Sequence, residues 1–178
     1  MPRDLTARGT VASRVGGVPI PEFVVEMRRL IGRREMWLPG VTAVVRRGAP
    51  GDEEVLVVQR ADNGAWTPVT GILEPREEPA VGAAREVLEE TGVTVRVDRL
   101  AATSVHGPVT HANGDLATYL DLTFACTWLT GEAHVADDES RAVAWVHRDL
   151  LPEMAPEMRE RIDVALADEA SARFVRGG

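Results

Sequence analysis

The sequence predicts one α/β domain of layered type. Two observations carry this. β-rich stretches recur between residues 40 and 147, and helical segments interrupt and follow them, one bounded by Pro79 and Gly92 and one opened by Pro156. A chain of 178 residues and 19.3 kDa, 44% hydrophobic, is long enough to bury a core of ordinary globular composition.

The elements follow in order. Residues 1–20 are expected to be mobile, punctuated by Gly16, Gly17 and Pro19. Pro21 opens a helix in which Phe23, Met27, Leu30 and Ile31 share a face, so this helix should pack on the core or on a second copy in a homodimer. It belongs to an N-terminal extension over residues 1–35, with the main domain over 36–178. Residues 40–47 (GVTAVVRR) and 54–60 (EVLVVQR) read as strands joined by the turn-rich GAPGD, and 66–70 as a short strand. Residues 94–106 and 116–129 are further β-rich stretches, separated by a loop over 107–115 that is long enough to shape a pocket and is flanked by His106 and His111. Residues 142–147 form the last strand, and the helix from Pro156 should bury Met158, Ile162, Val164 or Ala165, and Leu166.

Composition narrows the function. A net charge of −8 argues against a nucleic-acid surface, which needs a basic stripe. All 20 cationic residues are arginine, which removes P-loop and Schiff-base lysine chemistry. Cys126, the only cysteine, lies in the apolar run LTFACTWL and reads as a buried small residue. The first residues lack the apolar core of a signal peptide and no run reaches membrane-spanning length, so the cytoplasm is the expected compartment.

The most informative stretch is GILEPREEPAVGAAREVLEETGV, residues 71–93. Pro79 suits the first turn of a helix and Gly92 the left-handed residue past its end, which predicts a helix over 79–91. At 100° per residue, Ala80, Ala84, Val87, Leu88 and Thr91 gather on one side, which should face the core. Glu86, Glu89 and Glu90 gather opposite within an arc of about 100°. Three carboxylates on one face repel, and no lysine relieves them, so a cation is expected there. Carboxylate oxygens suit Mg²⁺, and Mn²⁺ also accepts such a set; no His or Cys on the helix argues for zinc.

The register G-x5-E-x7-R-E-U-x-E-E-x-G-U, with U aliphatic, is met at Gly71, Glu77, Arg85, Glu86, Val87, Glu89, Glu90, Gly92 and Val93. It resembles the Nudix box, and the chain resembles MutT-like Nudix hydrolases over about residues 38–151. The resemblance implies an α/β/α sandwich with a mixed β-sheet and the box as a loop-helix-loop motif. It implies hydrolysis of a diphosphate linkage in a small nucleotide. Glu86, Glu89 and Glu90 match the metal carboxylates, the Thr70 carbonyl a further ligand, and Glu77 and Arg85 a structural brace, with Gly71 and Gly92 shaping the ends.

Glu86 and Glu89 are candidate catalytic carboxylates by the same resemblance. The general base is either Glu86 or a glutamate outside the box, for which Glu139 in the acidic turn ADDES is the best candidate; an ordinary solvated turn is the alternative. Asp137 and Asp138 are weaker versions of that idea. Arg60 resembles an arginine that contacts substrate phosphate, and guanidinium geometry suits that part. Trp66 and Trp37 could stack on a base, against edge packing, whereas Trp145 is assigned to the core. Arg76 stands where similar sequences often have glycine, a position whose dihedrals a side chain adopts at a cost.

The leading expectation is a Mg²⁺-dependent pyrophosphohydrolase acting on a nucleoside triphosphate or similar small nucleotide. ADP-ribose or ADP-sugar hydrolysis is the alternative, for which Pro108 gives modest support. A nucleotide-sensing module of the same fold is the alternative of another class, and retention of every box glutamate weighs against it.

Overall fold

The computed structural model describes residues 14–15, 18–111 and 113–176. The expectation of mobility for the first residues falls largely outside them. The described elements are β1 (Arg14–Val15), β2 (Val18–Pro19), α1 (Glu22–Ile31), β3 (Met36–Ala49), β4 (Asp52–Arg60), β5 (Trp66–Thr67) and β6 (Val69–Ile72). They continue with α2 (Pro79–Thr91), β7 (Thr94–Thr110), β8 (Leu116–Thr130), β9 (Ser140–His147), the short 3₁₀ turn Arg148–Leu150, and α3 (Pro156–Leu166).

Strands β3 to β9 make one mixed seven-stranded sheet with the path β5-β4-β3-β8-β7, β6 adding to β3 and β9 to β4. The β3–β8 pair is parallel and the other pairs are antiparallel. On its other side β3 is shared: residues Gly40 to Ala43 pair with β6, and Arg46 to Ala49 pair with β4. The far end of β4, with Arg60, is therefore released from β3 and pairs with β5 and β9.

Alternation along the strands builds a core on each face. On one face, Val41, Ala43, Val45, Leu56, Val58, Phe124 and Cys126 meet Ala83 and Val87 of α2. On the other, Val44, Val55, Val57 and Ala125 meet Ile162, Val164, Ala165 and Leu166 of α3. The second layer carries a buried polar network: the Arg161 guanidinium lies 3.1 Å from Asp121 and donates to Thr42 Oγ1 at 2.9 Å. Asp121 also accepts from Thr42 and Thr123, each at 2.7 Å. With each Asp121 oxygen bonded, the pair fixes α3 over the β3–β8 junction without leaving a bare buried carboxylate. Burial pushes the Cys126 thiol up to about 12, in keeping with an inert packing residue.

Several expectations need correction. In α1 Phe23 and Ile31 pack as expected beside the buried Val24, against Met36, Leu38 and Ala117, while Leu30 is 81% exposed and Met27 is exposed too. The helix thus docks on its own chain, helped by Arg28, which donates to Arg34 O at 2.6 Å and Leu116 O at 2.7 Å. The first four residues of the 107–115 stretch are strand: β7 continues to Thr110 through a bulge between His106 and Val109, because β8 supplies a partner as far as Leu116. The remaining turn after it is tight, His111 N donating to Asp115 O at 2.9 Å. Arg76 takes φ 73°, so it keeps the left-handed backbone at a cost of about 1 kcal/mol relative to glycine.

Candidate functional site

Helix α2 starts at Pro79 and ends at Gly92, whose φ of 68° is left-handed and whose N–H caps Leu88 O at 2.9 Å. A side chain at Gly92 would also strike the His134 ring, so nothing larger fits. The helix boundaries match the sequence reading, and Val87 and Thr91 are buried and Ala84 packs on the core as expected, but the roll is shifted. The buried residues are Gly82, Ala83, Val87, Glu90 and Thr91, while Ala80 is exposed and Leu88 is 51% exposed. On the helical wheel Glu86 and Glu90 sit in the middle of this buried side and Glu89 at its edge. The reason is close approach: a Cβ on Gly82 would lie 2.4 Å from Leu73 Cδ2 and 2.9 Å from Glu77 Oε2, so the helix meets the loop before it through glycine, while Ala83 and Val87 pack on the sheet. The acidic arc therefore points inward, along the sheet, and not away from it.

Glu90 is 4% exposed, and its carboxylate forms no hydrogen bond or ion pair with another described residue. Burial, then the charge of Glu139, holds it well above the usual carboxylate range. Glu86 is pushed up to about 7 by burial, although Arg85 draws it back. Its carboxyl fills the space beside Gly71: a Cβ there would sit 2.0 Å from Glu86 Cδ. Glu89 is the outward member, its side chain 55% exposed.

Arg85 organises the arc. Nε donates to Glu77 Oε1 at 2.8 Å and Nη2 to Glu77 Oε2 at 2.9 Å, while Nη1 reaches Glu89 at 2.9 Å and Glu86 at 3.0 Å. Arg85 Nη2 also touches Ile72 O at 3.3 Å, and Glu77 Oε2 accepts from Glu74 N at 3.0 Å. The bracing pair expected from the box register is thus formed, and the same guanidinium relieves part of the carboxylate repulsion.

Glu139 comes to this cluster from the turn before β9. Burial pushes it up to about 7, and the charges of Asp137 and Glu86 push in the same direction. Asp137 is raised as well, by burial first. Asp137 accepts from Glu139 N at 2.9 Å, and Glu139 O accepts from Ala61 N at 2.7 Å, which ties the turn to the end of β4. Arg60 stands there, within electrostatic reach of Glu139 and Glu90. Thr70 precedes Gly71 in β6 and is paired with Thr42 of β3, beside the Glu86 carboxyl.

Other candidates are placed elsewhere. Trp66 is half-buried in the α3-side layer, on the other face of the sheet from the carboxylates. Trp37 is exposed on β3, and Trp145 packs in the α2-side layer with the Arg47 guanidinium 4.3 Å over its ring. His111 bonds Tyr119 Oη at 2.9 Å, and the charge of Arg60 is felt by both. Two neighbours escaped the sequence reading: Tyr119, which nothing in its strand distinguishes, and Asp62, whose spacing of two from Arg60 was the available signal.

The donor set is all oxygen: Glu90 is buried without a cationic partner among the described residues, and the half-buried Glu86 shares Arg85 with Glu77 and Glu89. Among the described residues no group of three or more His, Cys, Asp or Glu side chains is placed to hold a metal ion. A divalent cation seated here would complete its shell with substrate oxygens and water, as Mg²⁺ commonly does.

The family model of the NUDIX domain matches residues 36–166. The chain belongs to the Nudix family. This Nudix chain is 38% identical over 117 residues to a MutT-like protein from Streptomyces ambofaciens, covering 66% of this chain and 68% of that one. Its fold is similar to the crystal structure of a UDP-X diphosphatase, with TM-score 0.58 at 23% identity, over 81% of this chain and 68% of that one. It is also similar to an ADP-ribose pyrophosphatase from Streptococcus suis, with TM-score 0.54 at 19% identity, over 76% and 96% of the two chains. At those identities the structural likeness carries the fold. The match reaches Leu166 and so takes in α3, past the resemblance over about residues 38–151 and inside the main domain expected over 36–178. Nudix hydrolases act on pyrophosphate bonds of nucleotide substrates and generally use divalent metal ions. No helix among the described residues is long and apolar enough to cross a membrane.

Proposed function

We propose that the chain is a Mg²⁺-dependent pyrophosphohydrolase that cleaves the diphosphate linkage of a nucleoside triphosphate or similar small nucleotide. One observation carries the reading: the half-buried Glu86 and the buried Glu90 lie on α2 within electrostatic reach of Glu139, with Arg60 at the border of the cluster. Burying like charges together is unfavourable unless a cation joins them.

Glu86, Glu89 and Glu90, with the Thr70 carbonyl, would hold the ion, and Mn²⁺ is the other ion such oxygens accept. A bound divalent ion supplies charge neutralisation for the phosphates and a more acidic water. Arg60 binds a phosphate oxygen through its planar fork. Glu139 accepts the proton of the attacking water, since it lies beside the cluster and no arginine grips it as Arg85 grips Glu86. Glu77 and Arg85 keep the preceding loop against α2 so that these groups stay in place.

A second reading is hydrolysis of a nucleoside diphosphate joined to a sugar, favoured by the names of the two structural neighbours, a UDP-X diphosphatase and an ADP-ribose pyrophosphatase. A panel of nucleoside triphosphates, ADP-ribose and UDP-sugars with Mg²⁺, read by product phosphates, separates the two. Glu89→Gln should lower turnover by about 100-fold or more; unchanged hydrolysis of every substrate would sink the metal assignment. Glu139→Gln should remove the acid limb of the pH–rate profile, and a profile identical to wild type excludes it as the base. Absence of hydrolysis across the panel by wild type would favour a nucleotide sensor.

A further inference from the structure

We propose that Asp62 is a positioning residue for this reaction: it grips one edge of the Arg60 guanidinium and thereby presents the other edge to a substrate phosphate beside Glu139 and Glu90. The proposal rests on the reading of Arg60 as a phosphate contact.

The backbone around Arg60 is fixed from several directions. Arg60 N donates to Ala65 O at 2.9 Å, and Gly64 N donates to Arg60 O at 3.0 Å. Arg141 Nε donates to the same Arg60 carbonyl at 3.1 Å, and Ala61 N donates to Glu139 O at 2.7 Å. What remains free is the side chain, with its several rotatable bonds. Asp62 removes that freedom. Oδ1 takes Nε at 2.9 Å and Oδ2 takes Nη2 at 2.6 Å, the side-on mode, which leaves Nη1 outside the pair.

Stability does not account for this pair. Both side chains are about one-third exposed, 33% and 36%, and exposed ion pairs of that kind contribute little to folding. Nor does simple attraction of an anionic substrate, because a carboxylate beside the phosphate-binding arginine repels phosphate. Orientation is the remaining advantage: a guanidinium held in one plane loses less freedom when it takes up a phosphate. Asp62 thus acts through Arg60 without touching the reacting atoms.

The test uses the full chain with Mg²⁺, measuring the dissociation constant of ADP by calorimetry and KM and kcat for GTP and ADP-ribose. Four proteins form a cycle: wild type, Arg60→Ala, Asp62→Asn and the double variant. Arg60→Ala should weaken ADP and raise KM about tenfold or more. Asp62→Asn should weaken ADP by about three- to tenfold, with kcat at saturation and Tm nearly unchanged. The double variant should be no worse than Arg60→Ala, since the two residues act as one. Tighter ADP binding by Asp62→Asn would make Asp62 a competitor of substrate and overturn the proposal. Unchanged binding in Asp62→Asn, or full additivity in the double variant, also overturns it. Unchanged ADP binding in Arg60→Ala removes the phosphate reading of Arg60 itself, a different failure from the other three.

Discussion

Arg85 holds Glu77 by two parallel hydrogen bonds, 2.8 and 2.9 Å, across the eight residues that separate the loop from the middle of α2. The third nitrogen spans Glu86 and Glu89, so one guanidinium links the loop to both neighbouring carboxylates. Lysine cannot copy that planar fork. Arg85→Lys is expected to lower stability by about 1–3 kcal/mol, less than for a fully buried broken pair because Arg85 is 27% exposed. Turnover should fall in parallel. Chemical denaturation with kinetics on the same preparation checks both, and an unchanged midpoint would remove Arg85 as a brace.

Glu90 separates stability from activity. It is buried and lacks an ion-pair partner among the described residues, so Glu90→Gln should raise the Tm of the metal-free protein by a few degrees, about 1 kcal/mol. The same change should reduce turnover by about 100-fold or more. A Tm below that of wild type would show that the buried charge is not a source of strain.

Gly71 makes room for the Glu86 carboxyl, and its backbone is not in the left-handed region. The effect of Gly71→Ala is therefore displacement of Glu86 and not backbone strain. Activity should drop by about 100-fold while Tm changes by only a few degrees. Near-normal activity would mean that Glu86 has another productive position.

Arg76 takes a backbone shape that glycine adopts freely. Arg76→Gly should stabilise the protein by about 0.5–1 kcal/mol, the relief at φ 73° outweighing the greater freedom of glycine in the unfolded chain. A thermal melt that moves down contradicts this.

The pH dependence of stability follows from the raised carboxyls. Glu86 and Glu139 rise from 4.5 to about 7 on folding, and Glu90 moves the same way. The folded state then binds protons more tightly than the unfolded chain, so stability falls as pH rises from about 4.5 through 7. Glu77 and Asp62 are lowered by their arginine partners and act in the opposite sense, but only at more acid pH. Metal-free protein should melt several degrees higher at pH 5.5 than at pH 8, and Mg²⁺ should raise Tm more at pH 8. A flat Tm over that range, with or without Mg²⁺, would count against the buried cluster.

Much of the fold was legible because its signals are local. Pro79 and Gly92 bound α2 correctly, and β-rich apolar runs mark β3, β4 and β8, since a helix end or a strand's composition is set by neighbours in the chain. β7 was read short because its last residues have no strand composition of their own and are held by pairing to β8.

Residue type and spacing suffice for the family and the box register, which are written along the chain. The direction in which the arc faces is set by packing. Apolar content puts Leu88 in the core, but Gly82 lets α2 close on the loop over residues 73–77 and Ala83 packs on the sheet, which turns Glu86 and Glu90 inward. The same packing brings Glu139, about fifty residues later in the chain, to the carboxylates, and pairing of β4 with β9 rather than β3 brings Arg60. Such meetings depend on how elements stack and pair at long range, and spacing along the chain does not encode them.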